Sequence, residues 1–317
     1  VKAGENINFN WEDIKQKQRN LLVLWNVQKF LTNTAKELKI NPEKIKKIKE
    51  GTEEKYILSK LNSTIKDVTK LFEEYKLDET IGKIEELFLD LSRTYMQLTR
   101  DKISLGTKEE KEAVIKTIYD VIITVLKMFS PISPFVTEQI YQNFKESFKL
   151  NEESIHMFMW PKYDETVINK QLENDMNVYS NTLQSILYAR EKAQLGLRWP
   201  VKEVIITTSD EKLIESLENT EDLLKTQANF KEIKIQPCLP GIKQSVKADF
   251  KQLGPDFGPL APKIISKLAL ESPEAILKHL QTSKAYKLKI DGDEVDIVKE
   301  HLIVERDVPD QFVENEI

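Results

Sequence analysis

The chain holds 317 residues, with 47 basic and 52 acidic side chains, a formal net charge of -5 and 40% hydrophobic residues. That length gives about two domains with proper cores, and the charge balance excludes a global field that would attract a polyanion, so any nucleic acid must be met by local groups. One cysteine, Cys238, excludes an internal disulfide and a cysteine-based zinc site and reads as an inert thiol; with no apolar run near the roughly 20 residues that span a bilayer and no amino-terminal signal pattern, the expectation is a soluble cytoplasmic protein with no membrane partner.

The first predicted element is a helix over residues 11–38. Seven-residue steps through Ile14, Leu21 and Ala35, and through Leu24, Leu31 and Leu38, trace one buried stripe, and Asn41 with Pro42 ends it. The Lys-rich stretch 44–49 reads as a short helix or a loop with a solvated face. A second helix over about 53–75 buries Leu58, Leu61, Ile65, Val68 and Phe72, and a third over about 79–103 buries Ile81, Ile84, Phe88, Leu91, Tyr95 and Leu98. Thr107 and Glu110 have the spacing of a capping box, which opens a fourth helix running to Phe129. Ser130, Pro131, Ser133 and Pro134 break that run, and Ser133 as cap with Pro134 in the first turn restarts a short helix ending near Phe148.

After Asn151 the texture changes to a short extended segment over 155–160, then a helix over 168–195 with the stripe Leu172, Met176, Tyr179, Leu183 and Ile186. The next position on that stripe is Arg190, either a snorkelling structural side chain or a group held for a ligand. Gly196 to Val201 then place Arg198, Trp199 and Pro200 at a helix-to-strand joint: a planar cation, a stacking face and a fixed chain direction. The competing account is a buried tryptophan capped by a structural arginine.

From Val201 onward strands and helices alternate. Residues 203–208 and 230–236 read as strands around a helix capped by Asp210. Gly254, Pro255, Asp256, Phe257 and Gly258 read as a rigid turn before a helix over 262–270, Ser272 with Pro273 starts another to about Leu280, and Asp291 with Gly292 forms a hairpin turn between 284–290 and 294–298. The fold class is mainly α: an antiparallel helix bundle over residues 1–150, a connecting strand and long helix over 151–200, and one or two smaller α+β modules over 201–317 with mixed or antiparallel sheets.

Catalytic chemistry is not visible. His156, His279 and His301 lie outside any metal-ligand spacing and read as surface or satisfied core residues, and no glycine-rich phosphate loop is present. Paired carboxylates such as Glu53 with Glu54 and Glu85 with Glu86 are adjacent in helices, point to different sides and read as solvated decoration.

Several segments, in order, carry a resemblance. They are Gly4 to Phe9 followed by Trp11; Leu24, Trp25 and Asn26; Ile57 to Asn62; Asp90 to Tyr95; Phe129 to Tyr141; and Ser154 to Pro161. Together they resemble the anticodon-binding helix bundle of class I aminoacyl-tRNA synthetases, within the isoleucine, valine and leucine group. Arg198, Trp199 and Pro200, with the later Leu253 to Gly258, are similar to the isoleucine-specific members of the archaeal and eukaryotic type. The family's His-Ile-Gly-His and Lys-Met-Ser-Lys-Ser catalytic signatures have no counterpart, nor does its editing domain, so the resemblance is to a carboxy-terminal portion that is inactive alone. The bacterial members' cysteine-bound zinc has no counterpart either.

The resemblance implies a chain that binds isoleucine tRNA through its anticodon arm and has the enzyme's catalytic and editing domains as further partners. It implies no DNA partner and no cofactor or metal in this chain; the ATP and magnesium of the parent ligase act elsewhere. It implies an anticodon-side element at Asn26, Lys29 and Phe30, where Lys29 replaces the commoner arginine. Leu22, Asn26, Lys29 and Asn33 share one helix face; the competing accounts are a satisfied bundle amide for Asn26 and a solvated cation for Lys29. Arg93 and Arg100, with Leu89, Met96 and nearby Lys102, form a second face for phosphates, against which stand surface ion pairs with helix glutamates. Arg190, Arg198 and Trp199 complete the candidate tRNA-binding set. Two alternatives stay open: the valine-specific relative, which usually ends in a coiled coil, and a non-enzymatic helical module that docks proteins.

Overall fold

The computed structural model describes residues 10–237, 243–268, 271, 276, 286–290 and 293–307. Contacts divide the chain into two compact units, Val1–Ser180 with Ser216–Thr220, and Asn181–Glu215 with Glu221–Ile317. Gly4 to Phe9, Cys238, His279, Ser272 with Pro273 and the Asp291 and Gly292 turn lie outside the described residues.

In the first unit, α1 (Trp11–Leu38) starts where Asn10 accepts the amide of Glu12 at 3.0 Å, and ends at Lys39 in the left-handed conformation, φ 56°. Leu24, Leu31 and Ala35 of the expected stripe are buried, joined by Val27, while Leu21 and Leu38 are half-buried. Ile14 departs from that expectation and is 43% exposed. Residues 11–19 are exposed, and the first turns of the helix meet the helix Leu77–Asp90 through the ion pair of Lys17 with Glu85 and not through Ile14. Helix α2 (Thr52–Glu73) begins after Gly51, whose amide donates to Glu54 at 2.8 Å, and buries Tyr56, Ile57, Leu61, Ile65 and Val68.

The third predicted helix is not continuous. α3 (Leu77–Asp90) widens into a π turn over Leu91–Tyr95, is followed by a single turn, α4 (Met96–Leu98), and resumes after Thr99 as α5 (Arg100–Leu105). The Asp90 carboxylate at the point of change accepts from Tyr56 and Lys60 on α2 and from Thr94 at 2.8 Å. Leu91, Tyr95 and Leu98 stay buried through the interruption.

Helix α6 (Lys108–Phe129) runs through the core with Val114, Ile118, Val121, Ile122, Val125 and Leu126 buried. Its expected capping box forms, with Glu110 donating its amide to Thr107 at 3.3 Å and accepting that of Thr107 at 2.7 Å. α7 (Pro134–Phe148) has Pro134 in its first turn, but the Ser133 hydroxyl makes no capping bond; the Thr137 hydroxyl donates back to the Ser133 carbonyl at 2.8 Å. Tyr119 meets Phe144 and Phe148 edge-on, at 6.0 and 5.6 Å between ring centres, which locks α6 to α7. The stretch expected to be extended contains a 3-10 turn over Ile155–Met157, which buries Ile155. Trp160 beyond it donates to the Thr69 hydroxyl at 2.9 Å.

Helix α8 (Lys170–Lys192) starts in the first unit, where Glu173 accepts from Ser59 and Ser63 of α2, each at 2.6 Å. Burial opposes the charge of Glu173, yet those hydroxyls and Lys170 outweigh it and hold the carboxyl below its usual range. Buried Asp175 accepts from Ser216 at 2.7 Å and Asn219 at 3.0 Å.

After α8, β1 (Val201–Thr207) leads through α9 (Glu211–Asn219), whose residues from Ser216 count with the first unit, and α10 (Glu221–Ala228) to β2 (Phe230–Gln236), and the two strands pair in parallel. This differs from the expected mixed or antiparallel pairing, because two helices provide a connection long enough for a parallel crossover. Asp210 caps α9 by accepting from Lys212 at 2.9 Å.

Antiparallel pairs are formed by β3 (Lys243–Ala248) with β6 (Leu302–Asp307), and by β4 (Tyr286–Ile290) with β5 (Asp293–Ile297). The residues read as a rigid turn belong instead to α11 (Phe250–Phe257), and Gly258, φ 45°, opens the 3-10 turn that leads to α12 (Ala261–Leu268). Helical spacing there brings Leu253 and Phe257 onto one core with Ile264, Leu288, Ile297 and Leu302. His301 is buried beside it, its Nδ1 accepting the Val298 amide at 3.2 Å and its Nε2 lying 3.0 Å from Asp256. Among the described residues no helix is long and apolar enough to cross a membrane.

Candidate nucleic-acid interface

Helix α1 displays Leu22, Asn26, Lys29, Phe30 and Asn33 to solvent, opposite Leu24, Val27 and Leu31. The amide satisfied inside the bundle is Gln28, which accepts from Asn143 of α7 at 3.2 Å; Asn26 stays outside. Lys29 Nζ sits 5.9 Å from the centre of the Trp25 ring, a contact that steadies a long cation without neutralising it. The face therefore combines two amides, one cation and one exposed ring at spacings set by helical geometry.

Arg93 and Arg100 are both exposed, but the continuous helix that seven-residue spacing presumes is interrupted between them. Arg93 lies in the π turn and Arg100 opens α5. One extra residue in a turn rotates everything downstream by about 100°. Lys102 is engaged: its ammonium donates to Glu53 at 2.9 Å and to Glu54 at 3.0 Å, closing α5 onto the start of α2. Burial presses its pKa down, and the two carboxylates more than offset that, so the group is held above its ordinary value. The Glu54 side chain is buried and also accepts from the Tyr95 hydroxyl at 3.2 Å, so Lys102 neutralises a carboxylate that the fold requires.

Two features were missed in the sequence. Phe135, next to Pro134 in the first turn of α7, is 89% exposed, a free ring face on the bundle. Further along α7, Gln139, Gln142, Asn143, Lys145 and Glu146 line an open depression of about 530 Å³. Gln139 donates to Asn143 at 3.3 Å, and Asn143 in turn donates to Gln28, so a line of amides joins α7 to α1. The spacing of positions 139, 142 and 143 was the available signal; the exposure of Phe135 had none, since a proline-aromatic helix start reads equally well as buried.

In the second unit Arg190 is only 6% exposed. Its Nη2 donates to the carbonyl of Gly196 at 2.8 Å and to that of Trp199, while Nε and Nη1 have no hydrogen-bond partner. Each such buried, unpaired donor costs about 1–3 kcal/mol. The turn is also closed by Leu195 donating to the Arg190 carbonyl at 2.9 Å and by Trp199 donating to Gly196 at 3.1 Å. From the other side Asn229, φ 50°, donates to the Leu197 carbonyl at 2.8 Å. With the carbonyls turned inward, the side chains turn out: Trp199 is 71% exposed and Arg198 is exposed. Arg190 is thus the structural arginine, and it caps carbonyls rather than a buried indole. Arg198 and Trp199 are the cation and the stacking face it presents.

Residues 54–206 match the family described as the anticodon-binding domain of tRNA ligase. The chain is 34% identical over 98% of its length to the isoleucine-tRNA ligase of Pyrococcus abyssi and 32% identical over 98% to that of Pyrococcus furiosus, and spans 29% of each. It is 28% identical over 96% of its length to the corresponding protein of Methanopyrus kandleri, of which it spans 28%.

Proposed function

We propose that this chain, which belongs to the anticodon-binding family of tRNA ligases, grips the anticodon arm of isoleucine tRNA as one part of a longer cytoplasmic isoleucine-tRNA ligase. The observation that carries the reading is the match over residues 54–206, on a chain similar to archaeal isoleucine-tRNA ligases along almost its whole length. On this reading the joining of isoleucine to tRNA, with ATP and magnesium, takes place on catalytic parts of that ligase other than this chain, and the grip sets the acceptor end in their reach.

The chain's own groups do three things. Asn26 and the exposed ring of Phe30, with Lys29 beside them, meet unstacked anticodon bases, which hydrogen-bond on their pairing edges and stack on flat side chains. Phe135 offers a second platform. Arg93, Arg100 and Arg198 meet phosphates, which orient the RNA without reading it, and Trp199 stacks. Lys102 and Arg190 act one step back, holding the helix start and the turn on which these groups stand.

An anisotropy titration of this chain with isoleucine tRNA transcripts tests the reading. Binding that weakens when the anticodon is substituted, with log affinity falling linearly with log salt concentration, is the expected result. Equal affinity for all anticodons would count against it.

A further inference from the structure

Residues 36–50, the end of α1 and the chain that leads to α2, carry six lysines and three glutamates, a net charge of +3 in a chain of net -5. On other faces of the bundle Lys15, Lys66, Lys70 and Lys76 are exposed but tied to carboxylates, at 3.0, 2.7, 3.8 and 2.7 Å. Lys36, Lys39, Lys44, Lys46, Lys47 and Lys49 are all exposed, and among the described residues none has a carboxylate within ion-pair distance. The backbone beneath them is fixed. Asn41 donates to the Phe148 carbonyl at the end of α7 at 3.1 Å and accepts the Glu43 amide at 3.0 Å, Tyr119 of α6 donates to the Glu43 carboxylate, and Pro42 is buried. At the far end the Gly51 amide is held by Glu54. Between these anchors Ile45 and Ile48 are half-buried, so an inward side chain at every third position leaves the lysines outside. The Asn41 bond also brings exposed Lys149, which caps α7 at φ 62°, to this end of the bundle.

The composition of the patch selects its partner. Every exposed residue over 36–50 is a lysine or a glutamate, with no exposed ring or aliphatic group between them. Protein contacts are centred on such groups and are depleted in lysine. An ammonium on a flexible stem is a compact point charge, suited to a line of phosphates, and contacts of that kind position a nucleic acid without reading it. Lys36 also stands seven residues after Lys29 on the outward side of α1, so the patch continues the face of Asn26, Lys29 and Asn33. We propose that the lysines of residues 36–49 form a sequence-independent clamp on backbone phosphates of the RNA that meets the α1 face; the identity of that RNA rests on the function proposed above.

Anisotropy titrations of the full chain with isoleucine tRNA transcripts, between about 50 and 200 mM salt, test the clamp. Lys44→Gln, Lys46→Gln, Lys47→Gln and Lys49→Gln combined should lower the slope of log affinity against log salt by about three and weaken binding at least about tenfold, by one factor for the isoleucine anticodon and for substituted anticodons alike. Lys15→Gln, Lys66→Gln, Lys70→Gln and Lys76→Gln combined removes the same charge from ion-paired positions and should leave the slope in place. An unchanged slope in the first variant, an equal fall in both variants, a loss confined to one anticodon, or no binding by the unaltered chain would overturn the proposal. So would capture of phosphatidylserine vesicles that the first variant abolishes while its grip on tRNA persists, which would give the patch to a lipid surface. The anticodon reading fails separately: equal affinity of the unaltered chain for all anticodons, with the slope still falling in the first variant, would strike that reading and leave the clamp standing.

Discussion

The α1 face and the turn over 193–200 both present cations and a ring to solvent, by opposite means. On α1, every polar group stands on a regular helix whose other side is clamped by Leu24, Val27 and Leu31, so display follows from periodicity alone. In the turn nothing is periodic, and display is produced by a buried guanidinium and an asparagine that pull three carbonyls inward. A cation on a helix face can be offered to a ligand for nothing. In a turn, one cation is consumed so that another can be shown.

Breaking the inward half of that contrast should give the largest effect. Arg190→Met keeps the apolar stem and removes two hydrogen bonds to carbonyls, partly offset by deleting the unpaired Nε and Nη1, so the second unit should lose about 2 kcal/mol in chemical denaturation. A loss under about 0.5 kcal/mol would show that the turn holds itself. Trp199→Ala should do the reverse, weakening isoleucine tRNA binding about tenfold while the denaturation midpoint stays in place. Any comparable loss of stability would mean that the indole packs rather than stacks.

On the bundle the contrast sharpens between Lys29 and Lys102. Asn26→Ala with Lys29→Ala should cost about fivefold in affinity with no change in stability, whereas Lys102→Ala should destabilise the bundle through the uncompensated Glu54 and leave the affinity of the folded fraction intact. Arg93→Ala should lower the slope of log affinity against log salt by about one. A slope unchanged in Arg93→Ala would return that side chain to the solvated surface. The smallest expected effect is acid-dependent. Since Glu173 is held below its ordinary pKa, its contribution is complete above the unfolded value of about 4.3 and is lost as pH falls through the lower folded value. Ser59→Ala with Ser63→Ala should flatten stability over that window in acid titrations, and an unaltered profile would remove the hydroxyls as the cause.

Much of the bundle was legible because its signals are local. The Thr107 and Glu110 box, the helix start at Pro134 and the Leu24 to Leu31 stripe are each complete within a few turns, and each forms as read. The π turn over Leu91–Tyr95 was not legible, since its stripe of Leu91, Tyr95 and Leu98 reads as continuous helix until Asp90 meets Tyr56 and Lys60 on another helix. Ser133 misled because capping needs a hydroxyl aimed at a free amide, which residue type alone does not ensure. Within the candidate site, Asn26, Lys29, Arg198 and Trp199 were readable as exposed chemistry. For Arg190 and Lys102 the sequence left both accounts open, a structural side chain against a ligand group and a glutamate ion pair against a phosphate contact, and only the acceptors that the fold brings to each decided between them.

By itself the chain's order of residues determined the helices, their caps, the apolar stripes and the likeness to a tRNA-ligase segment, all of which depend on neighbours within a turn or on motifs in series. Tertiary packing alone decided the break after Asp90, the parallel pairing of β1 with β2, the helical path through Pro255 and which cations stay free. The physical reason is common to all four: a carboxylate, a strand edge or a carbonyl brought from far along the chain sets the free energy of each choice, and no local pattern records where that partner will be.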